Sequence, residues 1–180
     1  PRQVHGTRVL VVDSAIDPAG CAATEADALV TAEPGLGVAV RVADCLPVLL
    51  ADPAAEVVGA AHAGRVGLAS GVLPATLAAM AGLGAGRITA WIGPHICGGC
   101  YEVPAAMRDE VAAALPGAHS TTTWGTPALD LGRAARRQLE AAGCRVLAVG
   151  GCTLETPGLH SYRRDGAAAG RQAGIAWLPA

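Results

Sequence analysis

The stretch Gly37 to Ala63, GVAVRVADCLPVLLADPAAEVVGAAHA, places three strand-like runs in succession with no helix between them. Gly37–Val42, Leu46–Ala51 and Glu56–Ala61 are each rich in Val, Leu or Ala and bounded by Gly, Pro or Asp. Working outward, Arg8–Val12 and Asp27–Thr31 upstream, and Arg87–Ile92 and Arg145–Val149 downstream, read as further strands. Helical segments are fewer. Gly67–Leu83 is rich in Ala and Leu, with Pro74 near a helix start or at a kink. Pro104 opens a helix reaching Leu115, which Pro116-Gly117 stops, and Asp130 caps a helix that runs to Ala142 before Gly143. Consecutive strands are not the βαβα alternation of a doubly wound fold. The reading is α+β: mixed β-sheets packed together and flanked by helices.

The chain has 180 residues, 52% of them hydrophobic, which suits one compact domain spanning residues 1–180 without a disulfide framework. The formal net charge is −2, and all 13 basic residues are Arg. Without Lys, Schiff-base chemistry and a P-loop are excluded. The charge balance and the 3% aromatic content argue against a nucleic-acid partner. No apolar run has the length of a membrane span. The 6 Cys lack regular spacing, which fits a reduced, cytoplasmic protein with functional thiols.

Three residues at strand ends or turns could carry chemistry: His5 in Gln3-Val4-His5-Gly6, Cys45 in Ala43-Asp44-Cys45-Leu46-Pro47, and His62 in Ala61-His62-Ala63-Gly64. Taken singly, a His after a strand is a hydrogen-bonded side chain and a Cys in an apolar run is a small buried hydrophobe. Taken together, two imidazoles and one thiolate suit Zn(II) and leave a fourth coordination position open, as catalysis requires. Cys97-Gly98-Gly99-Cys100 reads as two thiols in a Gly-rich loop, since Cys144 and Cys152 are poorly spaced as a second zinc pair. Arg163, Arg164 and Arg171 gather guanidiniums that suit phosphate or carboxylate, or form a solvated turn. Asp44, Glu102 and Asp165 are candidates for proton transfer. No GxSxG nucleophile elbow occurs.

Several ordered stretches resemble the laccase-domain proteins, also called polyphenol-oxidase-like or YfiH-type. They are Gln3-Val4-His5-Gly6, Ala26 to Thr31, Ala43 to Val48, Ala61 to Gly64, Ile92-Gly93-Pro94 with Tyr101-Glu102-Val103, Cys152-Thr153, and Ser161 to Gly166. The resemblance implies an αββα arrangement with zinc on His5, Cys45 and His62. It implies phosphorolysis of adenosine, with inosine, guanosine and methylthioadenosine as further substrates, and adenosine deamination as a second activity. Purine nucleoside and phosphate are then the partners, and the protein a monomer or weak homodimer. Two departures stand out. His62-Ala63-Gly64-Arg65-Val66-Gly67 replaces the family's usual His-Ala-Gly-Trp-Arg-Gly, which leaves Arg65 without an assigned role. The family also carries several dozen residues before the first His motif, whereas this chain starts at Pro1, so an N-terminal segment is expected to be missing.

Three alternatives remain at this stage. Cys45 could be a nucleophile with His62 as its base, in a thiol hydrolase or amidase acting on an amino-sugar or peptide. The older family name suggests a copper polyphenol oxidase, although 5 His do not fill the usual four-copper arrangement. A zinc-stabilised binding module is the non-enzymatic reading.

Overall fold

The computed structural model describes residues 1–180. In chain order its elements are β1 (Val9–Val11), α1 (Pro18–Ala23), β2 (Ala28–Thr31), β3 (Gly37–Val42), β4 (Leu46–Asp52) and β5 (Val57–Ala63). There follow α2 (Arg65–Ser70), α3 (Val72–Gly82), β6 (Thr89–Ile92), α4 (Ala105–Ala114), β7 (His119–Thr121) and β8 (Pro127–Leu129). The chain ends with α5 (Leu131–Ala141), β9 (Arg145–Ala148), α6 (Tyr162–Asp165) and β10 (Gln172–Trp177).

Six strands form one sheet in the order β1-β2-β5-β4-β6-β9. The outer pairs β1/β2 and β6/β9 are parallel, and the inner three pairings are antiparallel. A second sheet pairs β3 with β10, and a third pairs β7 with β8. The expectation of mixed sheets flanked by helices is borne out.

The side chains of the central strands divide by face, as the two-residue period of a strand requires. Leu46, Val48 and Leu50 of β4 join the larger core with Leu68, Leu73 and Met80 of the helices and Leu131 and Leu139 of α5. Leu49 and Ala51 point the other way, onto a smaller core made by Val38 and Val40 of β3 with Leu29, Val58 and Ala60. Strand β5 lies between the two cores, and all seven of its residues are buried. That explains its unbroken apolar run. Strand β3 has only one covered face, so Val38, Val40 and Val42 are buried while Gly37, Ala39 and Arg41 are exposed. Full burial of each core leucine contributes about 1.5–3 kcal/mol.

One sequence expectation is refined, and strand β10 had no counterpart among the expectations. The helix read over Gly67–Leu83 is two helices, because Gly71 adopts φ 97° between α2 and α3 and Pro74 falls in the first turn of α3. Strand β10 has no strong pattern of its own: QAGIAW forms a strand because all six residues pair with β3. Asp130 caps α5 as expected, accepting from the Arg133 N–H at 2.8 Å. No helix is long and apolar enough to cross a membrane.

Buried Asp52, at the end of β4, accepts the N–H groups of Gly86 and Arg87 at 2.7 Å each, and those of Ala54 and Ala55. The bonds from Arg87 and Gly86 hold its carboxyl below the usual 3.8. A carboxyl depressed on folding stabilises above its unfolded pKa, and the contribution is lost as pH falls through the folded value. Asp52→Ala should therefore lower Tm at pH 7, with the gap from the wild type narrowing below about pH 4. Melting curves recorded between pH 7 and pH 2 check this; a constant gap would show that the charge contributes nothing.

Candidate metal centre and its cavity

Buried Asp27 organises one end of the molecule. It precedes β2, and its two oxygens accept four hydrogen bonds: Val4 N–H (3.2 Å) and Gly6 N–H (2.7 Å) on Oδ2, His5 N–H (2.9 Å) and His62 Nδ1 (2.8 Å) on Oδ1. Burial alone would push this carboxyl up. The bonds from His62 and from the three N–H groups outweigh it and hold the pKa below 3.8. One carboxylate thus pins the N-terminal segment and orients an imidazole on β5. The segment is tied a second time by Gln3, whose side-chain amide pairs with the backbone N–H and C=O of Arg41 at 2.8 Å each.

The three residues singled out in the sequence converge here. His5 and Asp44 both have positive φ, 61° and 85°, conformations that cost energy for residues with side chains. Cys45 follows Asp44 in the connection between β3 and β4, and His62 lies on β5 opposite Pro47. One ligand-type atom from each of His5, Cys45 and His62 lies within 4.8 Å of the others. The Cys45 sulfur is 3.6 Å from His5 Nε2, and the two imidazoles meet edge to face with centroids 4.7 Å apart. With Nδ1 of His62 held by Asp27, Nε2 is the nitrogen left to bind a ligand, the usual carboxylate–histidine arrangement behind a metal.

Gly64 stands beside the trio, and a β-carbon there would collide with the His5 ring and lie 3.0 Å from the Cys45 sulfur. Glycine at this position lets the backbone pass close against both side chains. Burial, with Asp44 and Asp27 nearby, raises the Cys45 thiol to about 11, against a smaller lowering by Arg171. Burial also lowers the pKa of His62, against the raising effect of its bond to Asp27. A neutral imidazole is ready to ligate, whereas the thiol needs a cation beside it to ionise at neutral pH.

The trio forms part of the wall of a cavity of about 800 Å³, within the range of ligand sites. Arg41, Arg163 and Arg171 bring guanidiniums to it, and Arg2 brings another that is paired with Glu25 at 2.6 Å. Tyr101 and Tyr162 supply rings, and the Arg163 guanidinium sits 5.3 Å from the centroid of Tyr101. Arg164 stands apart from this wall. Its guanidinium bonds the carbonyls of Thr153, Leu154 and Leu159 and the carboxylate of Asp165.

Among the acids, Asp44 reaches the cavity, but both its oxygens are engaged, one by the Thr153 hydroxyl and the other by the Arg163 N–H, at 2.6 Å each. Glu102 accepts from Trp124 Nε1, and Asp165 pairs with Arg164. Sequence reasoning missed Arg41, Tyr101 and the clamp made by Asp27. Arg41 had a signal, as the one charged residue within β3. Asp27 had the same signal, as the one charged residue in the apolar run Ala26 to Thr31, but its partners exist only in the folded chain.

The chain is similar to known proteins over nearly all of its length. A purine nucleoside phosphorylase of Streptomyces griseus is 55% identical over 98% of this chain and 72% of its own length. The crystal structure of YlmD from Geobacillus stearothermophilus superimposes with a TM-score of 0.87 at 31% identity, covering 99% of this chain and 72% of that one. That of the hypothetical protein YfiH of Bacillus licheniformis gives 0.83 at 30% identity, covering 98% and 72%. A family model described as multi-copper polyphenol oxidoreductase laccase matches residues 1–179, and the chain belongs to that laccase-domain, YfiH-type family.

Proposed function

We propose that this protein is a purine nucleoside phosphorylase. In this reading His5, Cys45 and His62 hold a zinc ion, and Arg163 and Arg171 receive phosphate. The observation that carries it is the convergence of a two-imidazole, one-thiol donor set on a cavity that also presents several guanidiniums. The name borne by the Streptomyces griseus relative supports the same reaction class. Adenosine is the proposed principal substrate, with inosine, guanosine and methylthioadenosine also accepted and adenosine deamination as a second activity.

When bound, a zinc ion supplies Lewis-acid polarisation of an oxygen ligand and lowers the pKa of a bound water. The protein's own groups do the rest. Arg163 and Arg171 hold the phosphate dianion where positive charge develops at the ribose carbon as the N-glycosidic bond lengthens. Arg163 is preset for this by its bond to the Glu102 carbonyl (2.9 Å), and Arg171 by bonds to the carbonyls of Ala169 and Gly170 (2.8 Å each). The Tyr101 and Tyr162 rings offer flat apolar faces for a purine. Arg164 acts by positioning: its bonds join the start of α6, next to Arg163, to the loop after β9.

The thiol-hydrolase reading fits less well. An activated cysteine needs a depressed pKa, and burial moves Cys45 the other way. The nitrogen 3.6 Å from the sulfur belongs to His5 and not to the proposed base His62.

Incubation with adenosine and phosphate should yield adenine and ribose 1-phosphate, resolved by chromatography, and chelation should stop the reaction. Arg171→Ala should raise KM for phosphate about 10- to 100-fold, the loss of roughly 1.5–3 kcal/mol in charge-assisted hydrogen bonding, with metal content unchanged. No product from any purine nucleoside, or an activity indifferent to chelators, would overturn the assignment.

A further inference from the structure

A second group of ligand-type side chains lies outside the cavity wall: Cys97, Cys100, Cys152 and Glu155. One ligand atom from each lies within 4.8 Å of all the others. The sequence shows only half of this set. Cys97 and Cys100 are close in the chain, but Cys152 comes from a loop 55 residues away in sequence, brought alongside where His95 pairs with Cys152 as an isolated bridge and the Thr153 N–H bonds the His95 carbonyl at 3.0 Å.

We infer that these four side chains bind a structural divalent metal ion, zinc by donor type, which joins the two loops forming one wall of the cavity. Three lines of geometry converge on it. The Cys97 carbonyl accepts the N–H groups of Cys100 and Tyr101 at 3.0 Å each, so the CGGC segment is a tight turn that presents both sulfurs to one side. Gly98 is required at that turn, because a β-carbon would lie 2.6 Å from Asp130 Cβ. The Cys97 N–H donates to the Cys152 sulfur at 3.4 Å, a bond that favours a thiolate, and the Cys97 sulfur is 3.9 Å from the Glu155 carboxylate.

The donor count then selects the ion and its role. Three sulfurs exclude a hard, oxygen-seeking cation and suit zinc. Zinc–sulfur bonds of about 2.3 Å in a tetrahedron place sulfurs about 3.8 Å apart, a small contraction from the present spacing. Three thiolates and a carboxylate fill the tetrahedron, so the site is closed and structural, unlike the open trio at the cavity. A disulfide would use two of the sulfurs and leave the third thiol and the carboxylate without a partner; all six cysteines are free here. Arg164, paired with Asp165, bonds the carbonyls of Thr153 and Leu154 and so holds the chain between Cys152 and Glu155 in place. The joined loops carry Ile96 and Tyr101 on one side and Tyr162 and Arg163 on the other.

Elemental analysis of chain purified under reducing conditions should find two zinc ions in the wild type, one in Cys45→Ala and one in Cys100→Ser. Cobalt(II) loaded into Cys45→Ala should show intense thiolate charge-transfer absorption from three sulfurs. Exposed Glu155 offers a variant that leaves the fold intact: Glu155→Ala should keep that absorption but release its metal at about a tenth of the chelator concentration. Retention of metal by Cys45→Ala with loss from Cys100→Ser supports this site even if the catalytic reading fails. The reverse pattern, or a Cys97–Cys152 disulfide mapped in the reduced preparation, overturns it.

Discussion

Cys45→Ala should lower phosphorolysis of adenosine by about 1,000-fold or more and remove one metal equivalent per chain. The sulfur is the only soft donor in the trio, and it comes from a backbone position held at positive φ on the preceding residue. Two imidazoles alone bind zinc less tightly than the full set and leave an extra open position. The rate effect corresponds to about 4 kcal/mol, within what a bound metal contributes to stabilising charge in a transition state. Because the thiol is pushed up to about 11 without an ion, zinc uptake must displace its proton, and apparent affinity should rise with pH across the neutral range. Metal analysis and initial-rate kinetics on folded protein check the variant. Wild-type turnover in a chain that has lost this ion would end the metal-centred account.

The second large effect belongs to Asp27→Ala. This change deprives four donors of their acceptor at once: the N–H groups of Val4, His5 and Gly6, and Nδ1 of His62. Leaving these buried donors without their acceptor costs about 3–5 kcal/mol in total, which for a domain of this size lowers Tm by roughly 6–20 °C. Loss of the carboxylate behind a ligating imidazole should reduce metal affinity and turnover a further 10- to 100-fold. Asparagine does not rescue the site well. Each oxygen of Asp27 accepts two bonds, so an amide NH2 in either orientation faces two donors. An Asp27→Asn chain with wild-type melting and metal retention would show that the clamp is not what holds His5 and His62.

Much of the fold was legible because strand and helix periods are local. The runs at Gly37–Val42 and Leu46–Ala51 became β3 and β4 nearly residue for residue, and the Asp130 cap and the Gly143 stop bracket α5. What escaped were the short elements α1, β7, β8 and α6, strand β10, which is a strand through its pairing with β3, and the break at Gly71, where one left-handed residue divides a continuous Ala/Leu pattern. The site divides in the same way. His5, Cys45 and His62 could be picked out by residue type and position, and Arg163 and Arg171 by charge. Arg164 could not be told from its neighbour, since only the bonds its guanidinium makes reveal that it supports the wall from outside.

Residue chemistry and short-range patterning thus determined the fold class, the inventory of possible ligands and the exclusion of lysine chemistry. Tertiary structure alone decided which donors share a point in space. Asp27 meets His62 from 35 positions away, and Cys152 meets the Cys97 turn from 55. Separations of that kind are set by sheet order and loop crossing, and a linear pattern carries no record of either.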